Sequence, residues 1–135
     1  MARSDLLLRF ERFGILPTPQ RLKIAEIPLA KPQHLSAEQI LDRLRQSGSS
    51  VSKATVYNTL NLFGERGLIK ELSVDPERRY YDSSIVPHHH FYNVDTGEFT
   101  DIDAENVSFS ELPELPQGTE RHSVEVLIKV RSQRD

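Results

Sequence analysis

The sequence has 135 residues, of which 37% are hydrophobic and 27% charged, and its formal net charge is −3. This length fits one domain or two very small ones. The composition is typical of a folded globular protein rather than a disordered or membrane-embedded one. The chain contains no cysteine, which excludes disulfides, thiolate zinc sites and iron–sulfur clusters. Residues 6–8 are the only apolar run near the start, too short for a signal-peptide core, so we expect a cytoplasmic protein.

The mild net charge conceals an uneven distribution along the chain. Residues 1–81 carry 13 basic and 9 acidic side chains, a net charge of +4, whereas residues 82–135 carry 4 and 11, a net charge of −7. A basic front half and an acidic rear half suggest two modules, the first of which could face an anion such as nucleic acid. The simpler alternative is an unevenly charged surface.

Two helices are predicted before residue 28. The first has apolar residues at the spacing of one helical face, namely Leu6, Phe10 and Phe13. Gly14 is a C-terminal stop signal for it. Thr18 followed by Pro19 starts the second helix, because threonine caps a helix and proline fits its first turn. Pro28 lacks an N–H group, so we expect this second helix to end near Ile27.

Two further helices and two strands complete the front half. Ser36 and Gln39 form a capping-box pattern, which predicts a helix up to residue 47. Ser52 caps a fourth helix that Gly67 closes. Residues 68–74 and 78–81 are extended runs around a turn at 75–77. Helices followed by a two-stranded ribbon are typical of a winged helix, with residues 36–47 and 52–66 as its helix-turn-helix.

The fourth helix is predicted to be the recognition helix. It presents hydroxyl, ammonium, phenol and amide groups that suit hydrogen bonds to bases and phosphates in a major groove. Two arginines would flank the wing. The alternative interpretation is an ordinary solvated helix face. The candidate DNA-binding residues are Arg21, Ser52, Lys53, Thr55, Tyr57, Asn58, Asn61, Arg78 and Arg79.

The rear half is predicted to consist mainly of strands. Residues 88–94 and 98–102 enclose Asp95-Thr96-Gly97, a hairpin-turn signal. Residues 124–130 alternate apolar and polar side chains until Leu127 interrupts the pattern. Residues 111–118, which include two prolines, are predicted to be a loop. About 50 residues with so little core are unstable alone, so we expect a second copy to pair with these strands.

The histidines are the strongest chemical signal. His88 and His90 are two residues apart on a predicted strand, so their imidazoles leave the same face and can share one metal ion. Asp101 on the neighbouring strand and Asp82 just before the cluster add carboxylates. Such a nitrogen and oxygen donor set suits Mn²⁺, Fe²⁺ or Zn²⁺. The alternative is a polar turn without metal, and His34, taken alone, is more typical of a surface or core residue.

Together these segments resemble the ferric uptake regulator (Fur) family of bacterial metal-dependent repressors. The similarity runs from about residue 6 to residue 130. Its motifs are residues 18–21, 34–38, 53–60, 67–69, Tyr81-Asp82, His88-x-His90 and Asp101. The resemblance implies an α+β fold with an N-terminal winged helix over residues 1–82, a hinge over 83–87 and a small C-terminal α/β dimerisation and metal-sensing domain over 88–135.

The resemblance also implies the ligands and the mechanism. The regulatory ion, Fe²⁺ or Mn²⁺ with Zn²⁺ as an in vitro substitute, would be held by His34, Asp82, His88, His90 and Asp101. Because these residues come from both domains and the hinge, ion binding would favour one interdomain arrangement and so couple to DNA binding. The expected partners are a double-stranded DNA operator and a second copy of the chain, with a tetramer as a further option and no membrane.

Two departures from the family pattern stand out. The family usually holds structural zinc with two Cys-x-x-Cys pairs, but the first pair falls here at Asn93 and Thr96 and the second has no counterpart. The dimer domain must therefore rely on packing rather than on thiolate zinc. The family also often has arginine where this chain has Asn58, which leaves the preferred DNA sequence open.

The sensed signal stays open between metal, peroxide and haem. Aspartate at position 101 is similar to peroxide-sensing members, whereas the triple histidine at 88–90, the absent cysteines and residues 112–118 look more like iron response regulators that respond to haem. A second metal or haem site would use His89, Glu105 and His122. Outside this class, two histidines and a carboxylate are also the triad of non-haem iron oxygenases, and a winged helix can be a protein-interaction module. We expect a regulator rather than an enzyme.

Overall fold

The computed structural model describes residues 2–75, 78–84 and 88–134, with the side chain of Asp75 excepted. The chain divides between residues 85 and 86 into two compact units, called here the first and the second unit. Of the predicted hinge, residues 83–87, only Ser83 and Ser84 are described, and the centre of the predicted turn at 75–77 also lies outside the described residues. None of the described helices is long and apolar enough to cross a membrane.

Both predicted helices at the start of the chain form, and the second begins at its predicted cap. Helix α1 spans Arg3–Arg12, and helix α2 spans Pro19–Ala25. The Thr18 hydroxyl accepts a hydrogen bond from the Arg21 backbone N–H at 3.2 Å, which caps α2. Helix α2 ends two residues before the predicted Ile27, because the Ile27 N–H reaches the Ile24 carbonyl in a tighter turn and a 3₁₀ helix, Pro28–Ala30, follows.

The helix-turn-helix has the predicted boundaries. Helix α3 spans Ala37–Gln46, and the Ser36 capping box is complete, with hydrogen bonds of 3.1 Å and 2.8 Å between Ser36 and Gln39. Helix α4 spans Lys53–Arg66 and is capped by Ser52. It ends at Gly67, whose φ of 85° lies in the left-handed region that glycine adopts without strain.

The wing is a three-stranded sheet instead of the predicted two-stranded ribbon. Strands β2, Lys70–Asp75, and β3, Arg78–Asp82, form an antiparallel pair. A strand that the sequence pattern did not predict, β1 at His34–Ser36, adds to the free edge of β3, so the order is β1-β3-β2. Three residues are too few to show a periodic pattern, and their partner lies more than 40 positions away in the sequence.

The core of the first unit is built by the predicted apolar faces. Phe10 of α1 and Phe63 of α4 are fully buried and meet edge to face, with ring centroids 5.6 Å apart. They pack with the buried side chains Leu6, Leu22, Ala25, Leu29, Ile40, Leu41, Leu44, Val56 and Leu60. Because this core packs α4 against the other helices, the polar residues of α4 are held on a rigid support.

The second unit contains one mixed sheet of order β5-β4-β6. Strand β4, His88–Asn93, is antiparallel to β5, Phe99–Asp103, and parallel to β6, Leu127–Val130. A short 3₁₀ helix, Ala104–Asn106, follows β5. Residues 111–118 lie outside helices and strands, as predicted, and are exposed.

The last strand is shorter than the alternation predicted. Residues 124–126 are not part of β6. The Val126 carbonyl accepts from the His90 N–H of β4 at 3.1 Å, but the Val126 N–H donates to the His89 side chain at 2.9 Å instead of to the backbone of β4. The apolar face of β6 is also exposed. Phe91 of β4 pairs in register with Ile128 of β6, and they are 38% and 40% exposed; Val130, two residues further along β6, is 36% exposed.

Candidate metal centre and nucleic-acid interface

The first unit brings together a histidine and an aspartate that are far apart in the sequence. His34 on β1 lies directly opposite Asp82, the last residue of β3. The His34 Nε2 atom is 3.5 Å from the Asp82 Oδ2 atom, and the Asp82 side chain is only 1% exposed. The unpredicted strand β1 is therefore what places His34 beside a carboxylate, since no spacing rule connects the two positions.

Neighbouring residues hold this pair in position. The Ser83 hydroxyl accepts from the Gln33 N–H at 3.1 Å and donates to the Lys31 carbonyl at 3.0 Å, which ties the start of β1 to the end of β3. The Ser84 N–H donates to Asp82 Oδ1 at 2.8 Å. Burial raises the pKa of the adjacent Tyr81 phenol, so this neighbour stays uncharged at neutral pH. The sequence pattern gave no signal for the roles of these serines.

The second unit gathers two histidines around one carboxylate. His90 pairs in register with Asp101, and His88 lies two residues along the same face of β4. Asp101 Oδ1 is 3.3 Å from His88 Nε2 and 3.6 Å from His90 Nε2. The two imidazole centroids are 4.4 Å apart. The predicted same-face placement of His88 and His90 therefore holds, and Asp101 is the acidic neighbour.

Within this cluster, the histidines are far less accessible than the carboxylate. His88 and His90 have side chains that are 9% and 5% exposed, whereas the Asp101 side chain is 51% exposed. The Phe99 ring lies edge to face against His90, with centroids 5.9 Å apart, and Tyr92 packs on Phe99 at 4.8 Å. This aromatic packing limits the rotamers of the histidine, which helps a ligand set to be preorganised.

The donor chemistry fits a divalent transition metal. Each group combines imidazole nitrogens with carboxylate oxygens and lacks thiolates, a combination that suits Mn²⁺, Fe²⁺ and Zn²⁺. In addition, each imidazole already has a carboxylate within 4 Å, so negative charge is present to favour a cation.

The residues of the predicted second site are not gathered in this way. His89 is buried on the opposite face of β4, where its Nδ1 atom accepts the Val126 N–H and its ring faces Phe109 at 6.2 Å. Glu105 lies on the second 3₁₀ helix and His122 outside helices and strands, both exposed. In the part of the chain that the structure describes, these three do not form a metal-binding group.

The polar residues of α4 divide into capping residues and free side chains. Ser52 and Thr55 bond to each other at its N-terminus, with 2.9 Å between hydroxyls and 3.1 Å from the Thr55 N–H to Ser52. Lys53 is exposed, and its Nζ atom lies 5.4 Å from the centroid of the Tyr57 ring. Asn58 is exposed as well. Lys53 and Asn58 are therefore available to a ligand on the outer face, whereas Tyr57 is partly buried against the core.

The wing is connected to α4 by a polar network. Arg79 Nη1 donates to Asn61 Oδ1 at 2.7 Å, and Arg79 Nε lies 3.7 Å from Glu71 Oε1. Arg78 is exposed on the same strand. Arg21, by contrast, donates to the Leu16 carbonyl at 3.1 Å, which holds the loop between α1 and α2. The structure thus places Asn61, Arg78 and Arg79 on adjoining elements and gives Arg21 a local partner.

Comparison with known proteins supports one family. The ferric uptake regulator family matches residues 13–127. The peroxide operon regulator of Bacillus subtilis is 34% identical over 99 residues, covering 73% of this chain and 68% of the relative. The ferric uptake regulation protein of Synechococcus elongatus is 31% identical over 94 residues, covering 67% and 64%. A structure of the ferric uptake regulator from Pseudomonas aeruginosa with manganese has a TM-score of 0.72 at 26% identity, covering 95% of this chain and 98% of the other.

Proposed function

Because this chain belongs to the ferric uptake regulator family of metal-responsive transcription regulators, we propose that it is a metal-dependent repressor whose DNA affinity is set by one ion held between its two units. The proposed ligands are His34, Asp82, His88, His90 and Asp101. Family members are DNA-binding regulators and not enzymes, so we assign the histidines to ligand binding rather than to catalysis.

The observation that carries the proposal is that each unit supplies an incomplete donor set. The first unit offers His34 and Asp82, and the second offers His88, His90 and Asp101. Two or three donors leave half or more of an octahedral shell open, whereas five donors with two carboxylates are close to a full shell for Mn²⁺ or Fe²⁺. Asp82 and His88 are six positions apart, so the chain between them can span at most about 20 Å. The length of the chain between Asp82 and His88 is therefore compatible with a shared ion.

Regulation then follows from the position of the donors in both units. Arrangements of the two units that bring the five side chains together are favoured when an ion is bound. If the same arrangement suits the spacing of two DNA half-sites, metal binding and DNA binding strengthen each other by the same factor, typically 5–150-fold. The ion itself supplies charge neutralisation for the two carboxylates.

The DNA contacts are assigned to α4 and the wing. Lys53, Tyr57 and Asn58 have free polar groups on α4, which can reach base edges in a major groove. Arg78 and Arg79 of β3 suit phosphates on either side. Ser52 and Thr55 cap the helix, so their contribution is to present its N-terminus to a phosphate. The exposed amide of Asn58 is the proposed base-reading group.

A homodimer is proposed through the sheet of the second unit. Its exposed apolar face, formed by Phe91, Ile128 and Val130, is the surface that a second copy would cover. Dimers are typical of the family, and paired half-sites need paired recognition helices.

The test of the shared ion is a double substitution, His88→Ala with His90→Ala. A duplex selected from random sequences with Mn²⁺-loaded wild-type protein serves as the probe in a gel-shift titration. We expect wild-type protein to bind at least about tenfold more tightly with Mn²⁺ than without, and the double variant to show no such difference. His122→Ala, an exposed histidine outside the ligand set, is the control and should behave as wild type. A double variant that keeps its metal dependence and its dimeric mass would refute the proposal.

The sensed signal needs a separate experiment, because the relatives include both a peroxide regulator and a ferric uptake regulator by name. Fe²⁺-loaded and Mn²⁺-loaded protein are each treated with hydrogen peroxide before the gel shift. A peroxide regulator is expected to lose DNA binding only in the Fe²⁺ form. An iron or manganese uptake regulator should keep its DNA affinity in both.

A further inference from the structure

A cleft on the first unit carries only positive charge. Its volume is about 430 Å³, and it lies between the end of α1 and the start of β2. The side chains that line it and bear on ligand chemistry are Arg9, Arg12, Phe13, Lys70 and Ser84. Three cations and a hydroxyl surround an apolar floor, and no acidic residue is among the lining residues.

The two arginines have no acidic partner within the described residues. Arg9 is partly buried and Arg12 lies with its guanidinium 5.8 Å from the Phe13 ring centroid, but neither forms an ion pair there. Burial of an unpaired charge is costly, so an anion in the cleft would stabilise the partly buried guanidinium of Arg9, and the exposed Arg12 adds a second cation to the lining. From this geometry we propose that the cleft binds a compact polyanion, a small molecule with two or more carboxylate or phosphate groups.

The position of the cleft favours a small ligand over the DNA backbone. Helix-turn-helix proteins approach DNA with the N-terminal residues of the recognition helix, which here begins after Ser52. The cleft is lined by Gly67 and Lys70, just beyond the other end of this 14-residue helix. At 1.5 Å per residue the two ends are about 21 Å apart. A phosphate contacted by Lys53 is therefore remote from Arg9.

The cleft also adjoins Asp82, a proposed metal ligand. Ser84, which lines the cleft, donates its N–H to Asp82 Oδ1 at 2.8 Å, and Lys70 pairs with Asp82 in register between β2 and β3. A polyanion bound here would therefore lie next to Ser84, whose backbone N–H holds the Asp82 carboxylate. An effect of the polyanion on metal binding would rest on the proposed function, whereas binding of the polyanion to the cleft does not.

The experiment is a calorimetric titration of the metal-free full chain at low salt. The probes are tricarballylate, a tricarboxylate, and inorganic pyrophosphate, so the two arms distinguish carboxylate from phosphate ligands. We expect saturable binding of at least one probe. Arg9→Gln with Arg12→Gln should weaken it about tenfold or more, because each charge-assisted hydrogen bond to an anion contributes strongly.

The matched control is Lys23→Gln with Arg45→Gln. It removes the same charge, also from the last turns of helices, and should change the affinity less than about twofold if the cleft is a specific site. Arg9→Lys with Arg12→Lys keeps the charge. If this variant binds the probe and has an unchanged thermal melt, the loss in the glutamine pair reflects the site and not folding. The proposal is overturned if neither probe shows saturable binding, or if both glutamine pairs lose the same affinity.

Discussion

Replacing Asp101 by asparagine isolates the carboxylate of the second unit. The change keeps the shape of the side chain but removes the charge that lies 3.3 Å and 3.6 Å from His88 and His90. Asp101 is 51% exposed, so its loss should alter folding stability by less than about 1 kcal/mol. Its effect on an ion should be much larger, because one of the three donors in this unit is lost.

The size of that effect can be estimated against a neighbouring charge. Loss of a group that positions metal ligands lowers affinity by about 10–100-fold, or about 1.4–2.8 kcal/mol, and loss of a ligand should be at least as severe. Asp103 lies on the same face of β5, two residues or roughly 7 Å beyond Asp101; it is opposite His88 in register but is not among the side chains whose ligand atoms gather around that histidine. At that distance in screened water its charge attracts a divalent ion by only roughly 0.5 kcal/mol, a factor of two to three. Asp103→Asn is therefore a matched control.

Mn²⁺ affinity can be measured for both variants by the electron paramagnetic resonance signal of the free ion. We expect Asp101→Asn to weaken binding at least tenfold and Asp103→Asn no more than threefold. Thermal unfolding of the metal-free proteins should be indistinguishable from that of wild type. The assignment of Asp101 as a ligand is refuted if its variant binds Mn²⁺ within threefold of wild type, or if both variants lose affinity equally.

Three further predictions address the core, a cap and the histidine cluster. Phe63→Ala should lower the free energy of unfolding by about 3–5 kcal/mol, since the buried ring and its contact with Phe10 are lost. Leu8→Ala, at a residue that is 65% exposed, should cost less than about 0.5 kcal/mol, and comparable losses in the two variants would contradict this core. Ser36→Ala should lower stability by about 1 kcal/mol in urea unfolding, because the capping box of α3 is broken; an unchanged midpoint would show that the cap is dispensable. Haem titration should give no Soret shift, because the imidazoles at 88–90 are nearly buried and contact Asp101 or Val126. A Soret shift that disappears in His89→Ala would instead favour haem sensing.

The helices of the first unit could be predicted closely because their signals are local. A cap such as Ser36 or Ser52 acts on the N–H groups two or three residues ahead, and an apolar stripe repeats within a few turns. These signals are complete within a short segment, so the boundaries of α3 and α4 agree with the predicted ones. Helix α2 is shorter than predicted because the turn before Pro28 closes with a tighter hydrogen bond, from the Ile27 N–H to the Ile24 carbonyl, and Pro28 begins a 3₁₀ helix.

The strands were harder to predict, because a strand is satisfied by partners that are distant in the sequence. Strand β1 has three residues and no periodicity, and it forms only because the edge of β3 is available. The start of β6 was predicted too early, since the alternation of residues 124–126 does not reveal that a His89 nitrogen accepts the Val126 N–H. Both errors concern hydrogen bonds across the chain, which local propensity does not contain.

By itself, therefore, the sequence determined the donor types, the absence of thiolate chemistry, the common face of His88 and His90, and the bounds of α4, because each depends on composition or on the geometry of a single element. Only the tertiary structure decided that His34 faces Asp82 through an added strand, that Asp101 lies within 4 Å of both strand histidines, and that Arg9, Arg12 and Lys70 surround one cleft. These relations depend on strand register and on packing between segments that are many residues apart.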